Sequence, residues 1–204
     1  EADILGHTMT YRLGMPGRHW VMNSLAVLAS VVLLGGDLKQ AADALAGLTP
    51  LRGRGARHRI PVPGGAFVLI DDSYNASPPS MRAALATLAV HPVEAGGRRI
   101  AVLGDMLELG VEAPALHRAL AFEIEAAGID RVFAAGLNME HLWQALPPAR
   151  RGAFAPSAAE LAPLVLEAVR PGDAVLVKGS FGSRMGLVVE ALLSREARVQ
   201  AASA

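Results

Sequence analysis

The chain contains no cysteine. That excludes a disulfide framework, a cysteine-ligated metal or cluster and a thiol nucleophile, and it fits a reducing compartment. Net charge is also missing: 19 Lys and Arg balance 19 Asp and Glu. No global positive field is therefore available to hold a nucleic-acid backbone or an anionic membrane, and neither partner is expected. The longest apolar run, Val21 to Leu34, is broken by Asn23, Ser24 and Ser30 and is shorter than the roughly 18–20 residues a membrane span requires. It reads as a buried helix. Glu1-Ala2-Asp3 lacks the basic start of a secretory signal, so a cytoplasmic protein is expected. Lysine is scarce. Lys39 and Lys178 are preceded by Leu38 and Val177, so neither belongs to a G-x-x-x-x-G-K-[ST] phosphate loop. No G-x-G-x-x-G follows a strand, and no H-E-x-x-H or G-x-S-x-G occurs, which removes the simplest routes to a dehydrogenase, a zincin or an α/β-hydrolase.

What is present suffices for a packed core: 204 residues, 52% of them hydrophobic, enough for one large domain or one domain with part of another. Trp20 to Leu34 favours helix and closes at Gly35-Gly36,. Asp37 then caps a second helix with apolar residues at Leu38, Ala41, Ala42, Leu45 and Leu48, halted by Thr49-Pro50,. Residues 51–66, with Arg52, Arg54, Arg57 and Arg59 among Gly and Pro, read as a linker or an exposed hairpin, and a domain boundary is expected there, with domains at 1–55 and 56–204,.

From Phe67 short apolar strands alternate with helices. Strands are predicted at 67–70, 100–103, 131–134 and 174–177, with helices opening at Ser77-Pro78-Pro79, at the Ser157-x-x-Glu160 capping box and near Ser183,. This βαβαβαβα order is the signature of an α/β, mostly parallel sheet flanked by helices. Ligands of such sheets sit beyond the carboxyl ends of the strands. There the sequence places Asp71-Asp72-Ser73-Tyr74-Asn75, Gly104-Asp105, Gly136 with Asn138, and Lys178-Gly179-Ser180.

Each constellation has a functional and a structural reading. Asp71 and Asp72 could bind Mg²⁺, accept from a ribose hydroxyl or serve in acid/base work, or form a turn and helix start. Lys178-Gly179-Ser180 could be a small anion site or a solvated charge. His19 and Asn23 lie one helical turn apart, where they could address a base or phosphate, or be a helix-start residue and a satisfied polar residue in an apolar helix. His7, His58, His91, His117 and His141 show no metal-ligand spacing and read as structural,. One arginine of 52–59 could reach an anionic ligand, in what otherwise reads as a solvated linker.

Taken together these residues resemble the Mur ligase family, specifically its D-alanyl-D-alanine-adding branch. The resemblance rests on the runs at 17–26 (GRHWVMNSLA), 71–85 (DDSYNASPPSMRAAL), 101–110 (AVLGDMLELG) and 175–180 (VLVKGS), in the family's order. The DDSYNA and GDMLELG runs disfavour another amide ligase of the superfamily such as folylpolyglutamate synthetase.

The resemblance implies a Rossmann-like C-terminal domain preceded by a helical remnant of a central ATPase domain. It also implies an ATP-dependent peptide ligase of peptidoglycan precursor synthesis, using ATP and Mg²⁺ and joining D-alanyl-D-alanine to UDP-MurNAc-tripeptide. The phosphate loop and the carbamoylated lysine of the family are not in these residues, so the fragment alone is expected to be inactive, with no catalytic or metal residue of its own; a monomer is expected. His19 and Asn23 would face adenine, Arg54 would reach ATP phosphate and Asp72 would hold the ribose. Tyr74, Asn75, Asp105, Lys178, Ser180 and Arg184 would lie near the nucleotide edge or the dipeptide. Trp20 stands where many relatives have asparagine, and Phe181 where arginine is common, which leaves Arg184 as the substitute cation. The alternative expectation is a stand-alone nucleotide- or dipeptide-binding module without catalysis.

Overall fold

The computed structural model describes every residue except Pro16, Pro50, Ala95, Ser203 and Ala204, and also leaves undescribed the side chains of His19 and residues 196–202. The chain divides into two compact units, Glu1–Pro50 and Leu51–Ala204.

The first unit opens with a hairpin that the sequence reading did not anticipate. Strands β1 (Ala2–Ile4) and β2 (His7–Met9) pair antiparallel around Leu5-Gly6, whose φ angles of 52° and 88° are the positive pair a tight two-residue hairpin turn demands,. Helix α1 (Arg18–Leu33) and helix α2 (Leu38–Ala46) follow. Asp37 caps α2 by accepting from the Gln40 amide at 2.9 Å,. Helix α2 ends at Ala46 with Gly47 as its cap, short of Thr49; Pro50 is outside the described residues. Ile4, Leu28, Ala42 and Leu45 form the small core.

Helix α1 is not the buried helix its composition suggests. Only Ser24 and Leu28 are buried among its described side chains, while Val21, Met22 and Val27 are 46%, 55% and 50% exposed. One short helix and one hairpin cover a single stripe, and an all-round apolar helix needs neighbours on every side to be buried.

In the second unit, β3 (Ala56–Val62) pairs antiparallel with β4 (Gly65–Asp72). Helix α3 (Pro78–Ala89), strand β5 (Arg99–Gly104), helix α4 (Ala113–Ala126) and strand β6 (Arg131–Ala135) come next. Helix α5 (Met139–Ala145), strand β7 (Arg151–Ala155), helix α6 (Ala158–Ala168), strand β8 (Ala174–Lys178) and helix α7 (Gly186–Ala202) complete it. The strands form one six-stranded sheet in the order β3-β4-β8-β5-β6-β7, parallel except for β3.

Of the two readings of residues 51–66 the hairpin holds and the linker does not: β3 turns into β4 at Pro63-Gly64. These residues contain an edge strand whose Ile60 and Val62 are buried, and residues 51–55 lie in the second unit, with the Gly55 amide donating to the Asp71 carbonyl at 2.7 Å. Strand β7, which opens with Arg151-Gly152 and is only five residues long, and the short helix α5 went unread in the sequence.

Alternation with period two splits the inner strands between two cores. Leu69, Ile100, Val102, Val175 and Val177 face α6 and α7. Ile70, Ala101, Leu103 and Leu176 face the helices that follow β4, β5 and β6. Strand β8 lies between β4 and β5, but its own helix leaves to the opposite face. The sheet's winding reverses there, and such a reversal opens a crevice outside the carboxyl ends of the strands.

Candidate functional site at the carboxyl rim of the sheet

The adjacent aspartates at the end of β4 have different employment. Asp71 is 1% exposed. Its Oδ2 accepts from the Gly53 amide at 2.8 Å, and its Oδ1 accepts from the Ser73 hydroxyl at 2.6 Å and the Ser73 amide at 3.2 Å. It organises the turn. Asp72 is the parallel-register neighbour of Lys178 on β8, and one strand face carries both side chains. The Lys178 ammonium donates to Asp72 Oδ2 at 2.7 Å and to the Asn75 carbonyl at 2.8 Å. The Lys178 side chain is 3% exposed and that of Asp72 27%. A buried ammonium so held is a fixed charge that anchors the DDSYNA loop to β8.

Ser180 ties together three loops. Its amide donates to the Asp105 carbonyl at 3.0 Å, its Oγ accepts from the Leu107 amide at 3.0 Å, and its hydroxyl lies 3.4 Å from the Ala76 carbonyl. Glycine permits this proximity: a Cβ on Gly179 would lie 2.4 Å from Ser183 Oγ and 3.1 Å from Gly104 Cα,.

Asp105, 7% exposed, turns away from solvent. It accepts from the Met139 amide at 2.9 Å and the Asn138 amide at 3.3 Å, with Asn138 Nδ2 at 3.5 Å. A carboxylate from one loop thus satisfies the amides that open α5. Gly136, with φ 116°, passes so close that a Cβ there would meet the Asp105 carboxylate at 2.5 Å.

The outer rim is aromatic. Tyr74 is 47% exposed and Phe181 74%; their ring centroids are 5.5 Å apart, and the Arg54 guanidinium lies 4.4 Å from the Tyr74 centroid, within cation–π range. Asn75 is exposed, with its Oδ1 accepting from the Ala76 amide at 2.9 Å. Arg184 is exposed too, and its backbone adopts a left-handed φ of 57°.

The structure therefore brings Arg54, Asp72, Tyr74, Asn75, Asp105, Lys178 and Ser180 to the ends of β4, β5 and β8, and Arg184 to the turn after β8. Asp105, Lys178 and Ser180 spend their polar atoms inside the protein, whereas Arg54, Tyr74, Asn75 and Arg184 face outward. Asn23 lies exposed on α1 in the other unit, and the side chain of His19 is outside the described residues. Among the described residues no three His, Asp or Glu side chains converge as a metal site, and no helix is long and apolar enough to cross a membrane.

Two contributors were not placed at the rim by the sequence, Gly53 and His117, the latter read only as a structural histidine. Gly53 supplies the amide that Asp71 accepts, with φ 76° and a virtual Cβ only 2.9 Å from Tyr74 Cβ. His117, on α4, receives the Met106 amide at the rim. Neither carries a spacing signal, because each contact joins residues brought together only by packing.

Comparison with known proteins gives these features a family context. Residues 58–181 match the family described as Mur ligase, glutamate ligase domain. The UDP-N-acetylmuramoyl-tripeptide–D-alanyl-D-alanine ligase of Mycobacterium tuberculosis is 38% identical over 205 residues, covering 90% of this chain and 39% of that protein. The crystal structure of MurF from Acinetobacter baumannii superposes with a TM-score of 0.75 at 28% identity, covering 90% of this chain and 39% of that one. MurF ligase from Thermotoga maritima in complex with ADP gives a TM-score of 0.75 at 24% identity, over 96% and 43%. The chain thus spans about two fifths of the length of the relatives it matches.

Proposed function

Because the chain belongs to the Mur ligase family, we propose that it is part of an ATP-dependent ligase that joins D-alanyl-D-alanine to UDP-MurNAc-tripeptide in peptidoglycan precursor synthesis. The observation that carries this reading is the carboxyl rim, where the Asp72–Lys178 pair and the loops after β4, β5 and β8 meet at the reversal of the sheet. The relatives' names supply the substrate class, and 38% identity over 90% of this chain supports applying it here.

In this reaction ATP phosphorylates the peptide carboxylate to an acyl phosphate. The dipeptide amine then attacks the acyl carbon, and the tetrahedral intermediate expels phosphate to leave an amide. Such chemistry needs cations about the phosphoryl group and a cavity that keeps water from the acyl phosphate. The partly exposed Asp72 carboxylate fits a ribose hydroxyl, and the outward Arg54 guanidinium fits a phosphate oxygen. Asn23 and His19 are assigned to adenine. Tyr74, Asn75 and Arg184 offer the outward contacts at the nucleotide edge or dipeptide, while Asp105, Lys178 and Ser180 hold the loops that present them. The phosphate loop and the metal ligands are assigned to other parts of the enzyme, since neither of the two lysines here lies in a G-x-x-x-x-G-K-[ST] loop,. The setting implied is a cytoplasmic monomer.

The test is phosphate release with ATP, Mg²⁺, UDP-MurNAc-tripeptide and D-alanyl-D-alanine, on these 204 residues and on the longer protein containing them. Dipeptide-dependent release by the longer protein alone is expected. Binding of nucleotide or dipeptide with no release from either would replace the ligase by a binding module.

A further inference from the structure

His117 is completely buried, yet both its ring nitrogens are engaged at the edge of the rim. Nδ1 lies 2.7 Å from the Ala113 carbonyl, and Nε2 lies 2.9 Å from the Met106 amide nitrogen. Each partner has a single role: a carbonyl only accepts and an amide N–H only donates. The ring must therefore carry its proton on Nδ1 and offer a lone pair at Nε2. Met106 is itself fully buried, so bulk water does not compete with His117 as the acceptor of its amide. The next amide, of Leu107, donates to Ser180 Oγ at 3.0 Å, and the Ser180 amide donates to the Asp105 carbonyl at 3.0 Å. Residue 108 follows with a left-handed φ of 64°, a conformation that persists in a non-glycine residue only when its surroundings hold it.

We infer that His117 is a positioning residue: through the Met106 amide its imidazole fixes loop 105–109 against the Ser180 loop, and so sets the wall of the rim proposed above for the nucleotide edge or dipeptide. The inference rests on the proposed function for its kinetic consequence, but its structural core does not.

The arrangement also makes the wall sensitive to acid. A proton on Nε2 turns the acceptor into a donor facing the Met106 N–H, which must then disengage. Burial disfavours that proton most strongly, and the His141 ring on α5 disfavours it too, whereas the Ala113 carbonyl and the Asp105 carboxylate, 4.0 Å from Nε2, favour it.

Two variants test the assignment in the full-length protein: His117→Leu, which removes both nitrogens, and His117→Gln, whose amide oxygen can replace the Nε2 acceptor. Amide hydrogen exchange at Met106 and Leu107 should accelerate in His117→Leu and return toward wild type in His117→Gln. In a protein that still melts cooperatively, His117→Leu should lower kcat/KM for the dipeptide by about tenfold or more, the scale expected of a slightly displaced site. His117→Gln should recover most of the loss. Wild-type loop protection should fall on acidification below pH 6.5, and that of His117→Gln should not. If His117→Leu fails to fold, the exchange and pH behaviour of His117→Gln carry the test. Unchanged exchange in His117→Leu, an identical acid response in His117→Gln, or a wild-type ring protonated on Nε2 by nitrogen NMR would overturn the inference. Absence of dipeptide-dependent turnover in the wild type would overturn the proposed function instead, and leave the exchange result to judge His117.

Discussion

Asp71 and Asp72 are adjacent and chemically identical, and the alternation of a strand sends them to opposite faces of the sheet. One accepts from Gly53 and Ser73 inside the turn; the other accepts from a buried lysine. Asp72→Asn removes the charge that offsets Lys178, and breaking a buried pair from one side costs about 3–5 kcal/mol, reduced here because the Asp72 side chain is 27% exposed. Urea unfolding should show that loss, and adding Lys178→Met should restore part of it. In the proposed full-length ligase Asp72→Asn should raise the KM for ATP more than that for the dipeptide. Equal changes in both would refute a ribose contact.

His117 also links stability to pH. Burial, opposed by the Ala113 carbonyl and by Asp105, holds its pKa below the ordinary 6.5, so the unfolded chain takes up this proton more readily than the folded one. Its contribution is full above pH 6.5 and is lost as pH falls from there through the lower folded value. His91 is shifted the same way, by burial first and then by Arg57 and Arg99. His117→Gln should therefore flatten, without abolishing, the acid limb of a stability curve from denaturant titrations at stepped pH.

At the scale of elements, the junction between β6 and α5 depends on a glycine. Gly136 has φ 116°, and its missing side chain leaves room for the Asp105 carboxylate that caps α5. Gly136→Ala would impose both backbone strain and a steric conflict, so a loss of about 2 kcal/mol or more is expected in chemical denaturation. Accelerated amide exchange at the start of α5 would place the damage there. Much of the element pattern was legible beforehand. Ser77 caps α3 with two prolines after it, and its side chain does accept from the Ser80 amide. At α6 the same chemistry takes a different form: the Ser157 hydroxyl donates to the Glu160 carboxylate at 2.7 Å while accepting from its amide at 3.3 Å. Strand β7 was missed, and β3 was legible only as the hairpin alternative to a linker, because edge strands bury fewer residues and so tolerate Arg, Pro and Gly, which leaves a weak hydrophobic pattern.

At the scale of the whole molecule, Leu51–Ala204 contains both large cores and every hydrogen bond described at the rim. Produced alone, residues 51–204 should fold and unfold in one cooperative transition by circular dichroism. A broad, non-cooperative melt would show that this unit is not self-sufficient. Asn23, proposed for adenine, lies in the other unit, so removing residues 1–50 from the proposed full-length ligase should abolish turnover while the remaining unit keeps its fold.

By itself the sequence determined the α/β class, because strand and helix periodicities alternate along the chain, and it marked the rim, because polar residues follow each predicted strand. It also carried the family in the DDSYNA, GDMLELG and VKGS runs. Only the tertiary structure decided the strand order that brings β8 between β4 and β5, and with it the pairing of Asp72 with Lys178 across 106 positions of sequence. It likewise decided that Asp105 serves α5, and that His117 serves the loop before its own helix. Hydrophobic period is a local property that each segment expresses alone. Strand order and hydrogen-bond partnership depend on which segments pack side by side, and no single segment carries that information.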